Sequence, residues 1–213
     1  MDKPVFDLSQ NCAAVIGCGG LGTNIAVHLA GMGIGRLILV DYDLVEQSNL
    51  NRQFLYTPAD VGGAKCDLLA ARLHAYAPDC AIERYNQKVS CADDLSVTAH
   101  ADILLAAVDD NDARRVLNDY CIRQKKPLVN GGVNGLFGTA YLYVPGISAD
   151  LGRAGLLDAE NSSIRAVSST VGVIGALQAQ LAAKYLSGCS DQAGRLFVFD
   201  CEEIHSMQLS YEE

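Results

Sequence analysis

The sequence predicts an α/β fold with a doubly wound, mostly parallel sheet, helices on both faces and antiparallel strands toward its C-terminal end. Two observations carry this. Ala13 to Asp41 reads as strand, glycine turn, helix and strand, the spacing of a mononucleotide-binding βαβ unit. Ile103 to Val108 is a continuous apolar run (ILLAAV), as expected of a central parallel strand covered on both faces. The 213 residues, half of them apolar, suit one domain (1–213) with a sizeable core.

In order, 1–10 is a short lead-in and Ala13–Ile16 a buried strand. Gly17, Gly19 and Gly22 form a G-x-G-x-x-G turn with Gly20 as an extra glycine, and a small/apolar helix follows from about Leu21 to Gly31. The glycines admit a phosphate close to the backbone, and the helix N-terminus offers it free N–H groups. The second strand, Arg36–Val40, ends on Asp41, which is spaced to hold ribose hydroxyls. The unit is Rossmann-like. After the polar run Ser48–Gln53, Tyr56–Asp60 reads as a turn. Gly63–Tyr76 reads as an amphipathic helix with Leu68, Leu69, Arg72 and Leu73 at helical spacing and Lys65 in its first turn.

Pro78 ends that segment. Ala81–Tyr85 is a third strand and Asp93–Ala101 a short helix. Ile103–Val108 then delivers Asp109 and Asp110 to the carboxyl edge of the sheet, where open α/β sheets bind ligands. Paired acids there can cap the helix of Asp112–Gln124 or face a ligand. The expectation is a mixture, with Asp110 toward metal and phosphates, Asn111 beside it and Asp112 nearer the cap. Leu128–Asn130 is a fifth strand. Gly131, Gly132, Gly135 and Gly138 read as a sharp bend, and Thr139–Val144 alternates as a strand. Pro145–Ser169 loses periodicity, which in a compact domain marks a functional or disordered segment. Gly172–Ser187 is an alanine-rich helix, Arg195–Phe199 a strand and Ile204–Leu209 a last strand or edge.

Composition narrows the function. The net charge of −9 argues against nucleic acid as the main partner. No apolar run reaches membrane length and no secretory n- or h-region opens the chain, so no membrane association is expected. The eight cysteines contain no C-x-x-C pair and suit a reduced, cytoplasmic setting. His28, His74, His100 and His205 lack metal-ligand spacing.

The glycine turn alone fits a nicotinamide or flavin dehydrogenase. Ser48-Asn49-Leu50-Asn51-Arg52-Gln53, Lys65 and the set Asp109-Asp110-Asn111 change the balance. An arginine, a lysine and an acidic pair around one nucleotide suit a triphosphate with Mg²⁺ better than a pyrophosphate already joined to a second nucleoside.

With GCGGLG (Gly17–Gly22), LVDYD (Leu39–Asp43), SNLNRQF (Ser48–Phe54), VGGAK (Val61–Lys65), VDDN (Val108–Asn111) and GVIGALQA (Gly172–Ala179), the chain resembles the ThiF/MoeB/HesA family. These are bacterial relatives of ubiquitin-activating E1 enzymes. The likeness runs from about Ala13 to Phe199. It implies an ATP-dependent adenylyltransferase that activates the C-terminal Gly-Gly of a small ubiquitin-like sulfur carrier of the ThiS or MoaD type as an acyl-adenylate, releasing pyrophosphate, and works as a homodimer. Arg52, Lys65 and Asp110 are then the catalytic set, with Asp110 on Mg²⁺. Gly17, Gly19, Gly20, Gly22, Asp41, Asp43, Ser48, Asn49, Leu50, Asn51, Gln53, Asp109 and Asn111 complete the ATP site.

In the resembling family the 145–169 stretch is a crossover loop that covers the pocket and often carries a catalytic cysteine. Here that position falls near Asn161, beside Ser162 and Ser163, and no cysteine lies between Cys121 and Cys189. The two zinc-binding C-x-x-C pairs of many members are also absent, and the chain ends before the second would occur. Neither thioester chemistry nor zinc is expected. The N-terminal R-Y-x-R-Q helix, whose arginine reaches a neighbouring subunit's phosphates, has no counterpart, since no arginine precedes Arg36. Three rival readings stand: adenylation of another carboxylate (a peptide terminus, or one on a modified tRNA base), an NAD(P)- or FAD-binding oxidoreductase, and a non-catalytic E1-like partner subunit.

Overall fold

The computed structural model describes residues 5–157, 166–200 and 202–209. Its strands are β1 (Cys12–Ile16), β2 (Arg36–Val40), β3 (Ala81–Tyr85), β4 (Ile103–Ala106), β5 (Leu128–Asn134), β6 (Phe137–Tyr143), β7 (Arg195–Phe199) and β8 (Ile204–Gln208). They form one sheet in the order β3-β2-β1-β4-β5-β6-β7-β8. The first five run parallel, with Ala14 beside Ile38 on one flank and Leu104 on the other. β6, β7 and β8 then add antiparallel, Leu128 pairing with Tyr143. The order reverses at β1 and β4, where a crevice opens at the carboxyl ends of the strands.

Alternation along the central strands divides the core. Ala13, Val15, Leu37, Leu39, Ile103 and Leu105 face α1 (Gly20–Gly31), α2 (Lys65–Tyr76) and α4 (Ser168–Leu186). Ala14, Ile16, Ile38, Leu104 and Ala106 face α3 (Asn111–Gln124), the 3₁₀ turn at Ala92–Thr98 and Leu151 and Leu157. Each fully buried Ile or Leu contributes roughly 1.5–3 kcal/mol of transfer free energy, so burial on both sides locks these strands. β8 is exposed throughout.

Several elements differ from the sequence expectation. Gly131, Gly132 and Gly138 do not bend the chain; they lie inside β5 and β6. A side chain at Gly131 would fall 2.2 Å from Gln178 Oε1, and one at Gly138 would fall 2.3 Å from Ile174. These glycines are where α4 lies against the sheet. The hairpin itself turns at Gly135, whose φ is +61°. β5 therefore extends to Asn134 rather than Asn130, and α4 begins at Ser168 rather than Gly172. Tertiary contact overrides the weak helix preference of Ser168-Ser169-Thr170: Val171 packs where a side chain on Gly20 would lie, and Thr170 where one on Gly138 would.

Of the 145–169 stretch expected to cover the pocket, residues 145–157 fold against α3 on the far face, while Ala166 lines the crevice. Leu151 N–H donates to Asn118 Oδ1 (2.9 Å), and the Tyr141 hydroxyl donates to Ala149 O (2.8 Å). Asn161, Ser162 and Ser163 lie outside the described residues. No described helix is long and apolar enough to cross a membrane.

Candidate active site

Ladder hydrogen bonds carry β1 into the glycine turn: Gly17 N–H donates to Val40 O and Ala107 N–H to Ile16 O, both at 2.8 Å. Gly17 has a φ of +99°, and a Cβ there would meet Ala107 O at 2.4 Å. A Cβ on Gly22 would meet Gly17 O at 1.8 Å, so this glycine serves packing of α1 onto the turn. The turn is pinned from two sides. Asp41 accepts from Cys18 N–H (2.5 Å) and Asp43 N–H (2.8 Å), and the buried Tyr56 hydroxyl donates to Cys18 O (2.8 Å).

The crevice beside this turn has a volume of about 1150 Å³, above the roughly 300–1,000 Å³ of an ordinary small-molecule site. That leaves room for a second reactant beside a nucleotide. Its wall includes Gly17, Gly19, Gly20, Asp41, Asp43, Ser48, Asn49, Arg52, Gln53, Lys65, Asp109, Asp110 and Asn111. Gly22, Leu50 and Asn51 stand outside it; Asn51 Oδ1 instead accepts from Arg52 Nη1 (3.0 Å). A shallower depression along Ile82–Asn86 lies at the β3 edge and holds no comparable set.

Lys65 opens α2 but is not a solvated helix lysine. It is 5% exposed and its Nζ lies 2.8 Å from Asp43 Oδ2. Arg52 Nη1 donates to Ser48 O (3.1 Å), which aims the guanidinium from the turn Gln47–Asn49. Asn49, expected to orient phosphate or ribose, uses its Oδ1 to accept Glu46 N–H (3.1 Å), while its Nδ2 has only a 3.5 Å contact with Ser48. Gln53 is buried with Oε1 unpartnered.

The acidic pair resolves differently from the expectation. Asp110, not Asp112, is the N-cap of α3: its Oδ1 accepts Asp112 N–H at 3.0 Å. Asp109 is exposed on the crevice wall. Two carboxylates on an open, polar wall fit Mg²⁺, which takes one or two carboxylates, keeps waters and completes its shell with phosphate oxygens. Among the described residues no three His, Cys, Asp or Glu side chains converge, so an ion here would lean on phosphate.

Three wall residues were not anticipated from sequence. Arg114, on the first turn of α3, is buried behind the acidic pair. Lys88 sits over the Tyr42 ring, 5.5 Å from its centroid, at the crevice rim. For two of them the signal was available: Tyr42 and Lys88 follow β2 and β3 at the same sheet edge as Asp41. Arg114 had none, because a basic pair on an amphipathic helix reads as a solvated face. The electrostatics are mixed. Burial raises the Asp41 carboxyl above its ordinary value, opposed by the two backbone N–H groups and by Lys65. Burial likewise lowers Arg114, with Asp109 and Asp110 pulling it back up.

Comparison with known proteins identifies the family. The chain matches the ThiF family over residues 5–212. It is 34% identical over 191 residues to the sulfur carrier protein ThiS adenylyltransferase of Escherichia coli (strain K12), covering 87% of this chain and 76% of that one. It is 35% identical to the adenylyltransferase and sulfurtransferase MOCS3 of Anopheles gambiae, covering 92% of this chain and 46% of the relative. Among solved structures, E. coli MccB with MccA superposes with a TM-score of 0.86 at 25% identity, over 96% of this chain and 65% of that one. MccB with ATP gives 0.84 at 26%, over 94% and 64%. The chain thus spans less than half of the MOCS3 relatives and under two thirds of MccB. With the family matched across nearly its whole length, on the sheet and glycine turn described above, the chain belongs to the ThiF family.

Proposed function

We propose that this chain is an ATP-dependent adenylyltransferase that activates the C-terminal Gly-Gly carboxylate of a small ubiquitin-like sulfur carrier as an acyl-adenylate, releasing pyrophosphate. The observation that carries this reading is the convergence of Arg52, the buried Lys65 and the Asp109-Asp110 pair on one crevice around the glycine turn. The names of the ThiS adenylyltransferase and MOCS3 relatives support it.

The chemical problem is that both reactants are anions. Two unit charges 4 Å apart repel by roughly 4 kcal/mol at an effective dielectric of 20, so charge must be cancelled before a carboxylate can reach the α-phosphorus. Backbone N–H groups of the glycine turn and the α1 N-terminus receive phosphate oxygens. Arg52 offers a fork of donors and Lys65 a point charge that can leave Asp43 for the triphosphate. Gln53, with its unpartnered Oε1, and Asn49 Nδ2 add polar contacts, and Asp41 sits where ribose hydroxyls reach it. Mg²⁺ held by Asp109, with the remaining Asp110 oxygen beside it, would neutralise phosphate charge. The attacking carboxylate is ionised at neutral pH and needs no base. Its carboxylate oxygen bonds to the α-phosphorus as the bond from that phosphorus to the departing pyrophosphate oxygen breaks.

Gly131, Gly132, Gly138 and Ala166 line the far part of the crevice, which suits an extended tail with minimal side chains. Family membership favours a homodimer. The likeness to MccB solved with MccA favours, as a second reading, the same chemistry on a carboxylate other than a sulfur carrier's. Exchange of labelled pyrophosphate into ATP decides between them. Exchange with a carrier ending in Gly-Gly, lost when those glycines are removed, is expected; exchange with no carrier but with another peptide terminus supports the second reading.

A further inference from the structure

Arg114 is the one buried cation in the crevice wall that neither the sequence motifs nor the family match explains. It is 8% exposed, although its place on the first turn of the amphipathic α3 would let a basic side chain reach water at little cost. Taking a guanidinium out of water is expensive unless it is well bonded. Here Nη2 donates to Val108 O (2.9 Å) and Nη1 to Asn111 Oδ1 (2.7 Å), while Nε is buried with no acceptor. Those two bonds straddle the acidic pair, one on the residue before Asp109 and the other on the residue after Asp110. The guanidinium is held to the frame of the turn, and its charge acts on both carboxylates.

We propose that Arg114 is a positioning residue of the nucleotide site. It braces the turn between β4 and α3 and sets a fixed positive charge behind Asp109 and Asp110, so that two adjacent carboxylates stay together at the crevice wall ready for the divalent ion that accompanies the triphosphate. Without it, like charges on neighbouring residues repel and the pair opens. The fork geometry matters as much as the charge, because a lysine cannot hold both acceptors at once. This inference rests on the adenylation reading above, so pyrophosphate exchange by the unaltered protein is established first.

The test compares wild type with Arg114→Gln and Arg114→Lys, all with thermal melting curves. Mn²⁺ binding to the protein–ATP complex is read by electron paramagnetic resonance, ATP binding without metal by calorimetry, and exchange by its kcat and KM. Groups that orient metal ligands typically change metal affinity or activity about 10–100-fold when removed. Arg114→Gln should weaken Mn²⁺ by about tenfold or more and lower kcat similarly, with metal-free ATP affinity and the KM for ATP within about threefold of wild type. Arg114→Lys should recover only part of the Mn²⁺ affinity. Unchanged or tighter Mn²⁺ binding in Arg114→Gln overturns the proposal, as does an equal loss of metal-free ATP affinity. Should Arg114→Gln not fold, Arg114→Lys alone decides: full Mn²⁺ affinity and kcat in that variant reject the bracing role.

Discussion

The Lys65 ammonium lies 2.8 Å from the Asp43 carboxylate, buried on its own side and open to the crevice on the other. Asp43 thus keeps a desolvated cation at the crevice wall, where the proposed function puts the triphosphate. Lys65→Met should cut pyrophosphate exchange by about 10²–10³-fold. Its stability should change by under about 1 kcal/mol, because Asp43, 45% exposed at its side chain, rehydrates when the partner goes. A kinetic assay beside a urea melt checks both.

Gly22 separates a packing role from a binding role. A Cβ there would sit 1.8 Å from Gly17 O, which is backbone and cannot give way. Gly22→Ala should therefore destabilise by more than about 2 kcal/mol. Gly33→Ala, at φ +82° in open space, should cost only about 1 kcal/mol. Equal midpoints for the two variants in chemical denaturation would contradict this account.

Asp41 links pH to binding. Its carboxyl is raised by burial above the ordinary 3.8. A carboxyl so shifted favours the fold when protonated: that contribution is present below the unfolded value and is lost as pH rises through the folded one. The ionised form, which accepts the Cys18 and Asp43 N–H groups, is the one the glycine turn needs. ATP affinity measured by calorimetry should fall as pH drops from about 7 toward that raised value, with no matching loss of melting temperature from this group. Asp41→Asn should show weaker binding and a flatter pH dependence.

The thiols should sort by burial. Cys12 is pushed up to about 11 and Cys121 to about 12 by desolvation, and Cys18 and Cys66 are fully buried, 3.5 Å apart. Thiolate is the reactive form, so among the described cysteines the exposed Cys91 should alkylate first in the native protein. Mass spectrometry after a timed pulse of iodoacetamide reads the order, and early labelling of Cys18 would show that the glycine turn opens.

The centre of the parallel half was legible because β1, β2 and β4 are buried on both faces, and the edge strand β3 followed from its spacing after Pro78. Arg36–Val40 and Ala81–Tyr85 form strands at the bounds the sequence predicts, and Gly17, Lys65 and Asp109 converge as motif spacing requires. What stayed hidden depended on contacts distant in sequence. Gly131 and Gly138 read as a bend because the helix that occupies their missing side chains lies some forty residues on. Asp112 was expected nearer the cap and Asp110 takes that place, because both acids suit an N-cap and the apolar positions of α3 do not depend on which of them starts it. Arg114 looked like surface because its burial comes from a turn, not from a pattern.

The central claim is that Arg52, Lys65 and the acidic pair let a carboxylate reach the α-phosphorus of ATP. The most direct measurement is the fate of label from ATP carrying radioactive phosphorus at the α-position, incubated with the protein, Mg²⁺ and a carrier ending in Gly-Gly. The account predicts label on the carrier as a base-labile acyl-AMP mixed anhydride, with pyrophosphate released, and loss of both with Arg52→Ala. Label that stays in ADP or ATP while the γ-phosphate transfers, or no reaction with any carboxylate and tight binding of a nicotinamide dinucleotide, would contradict it.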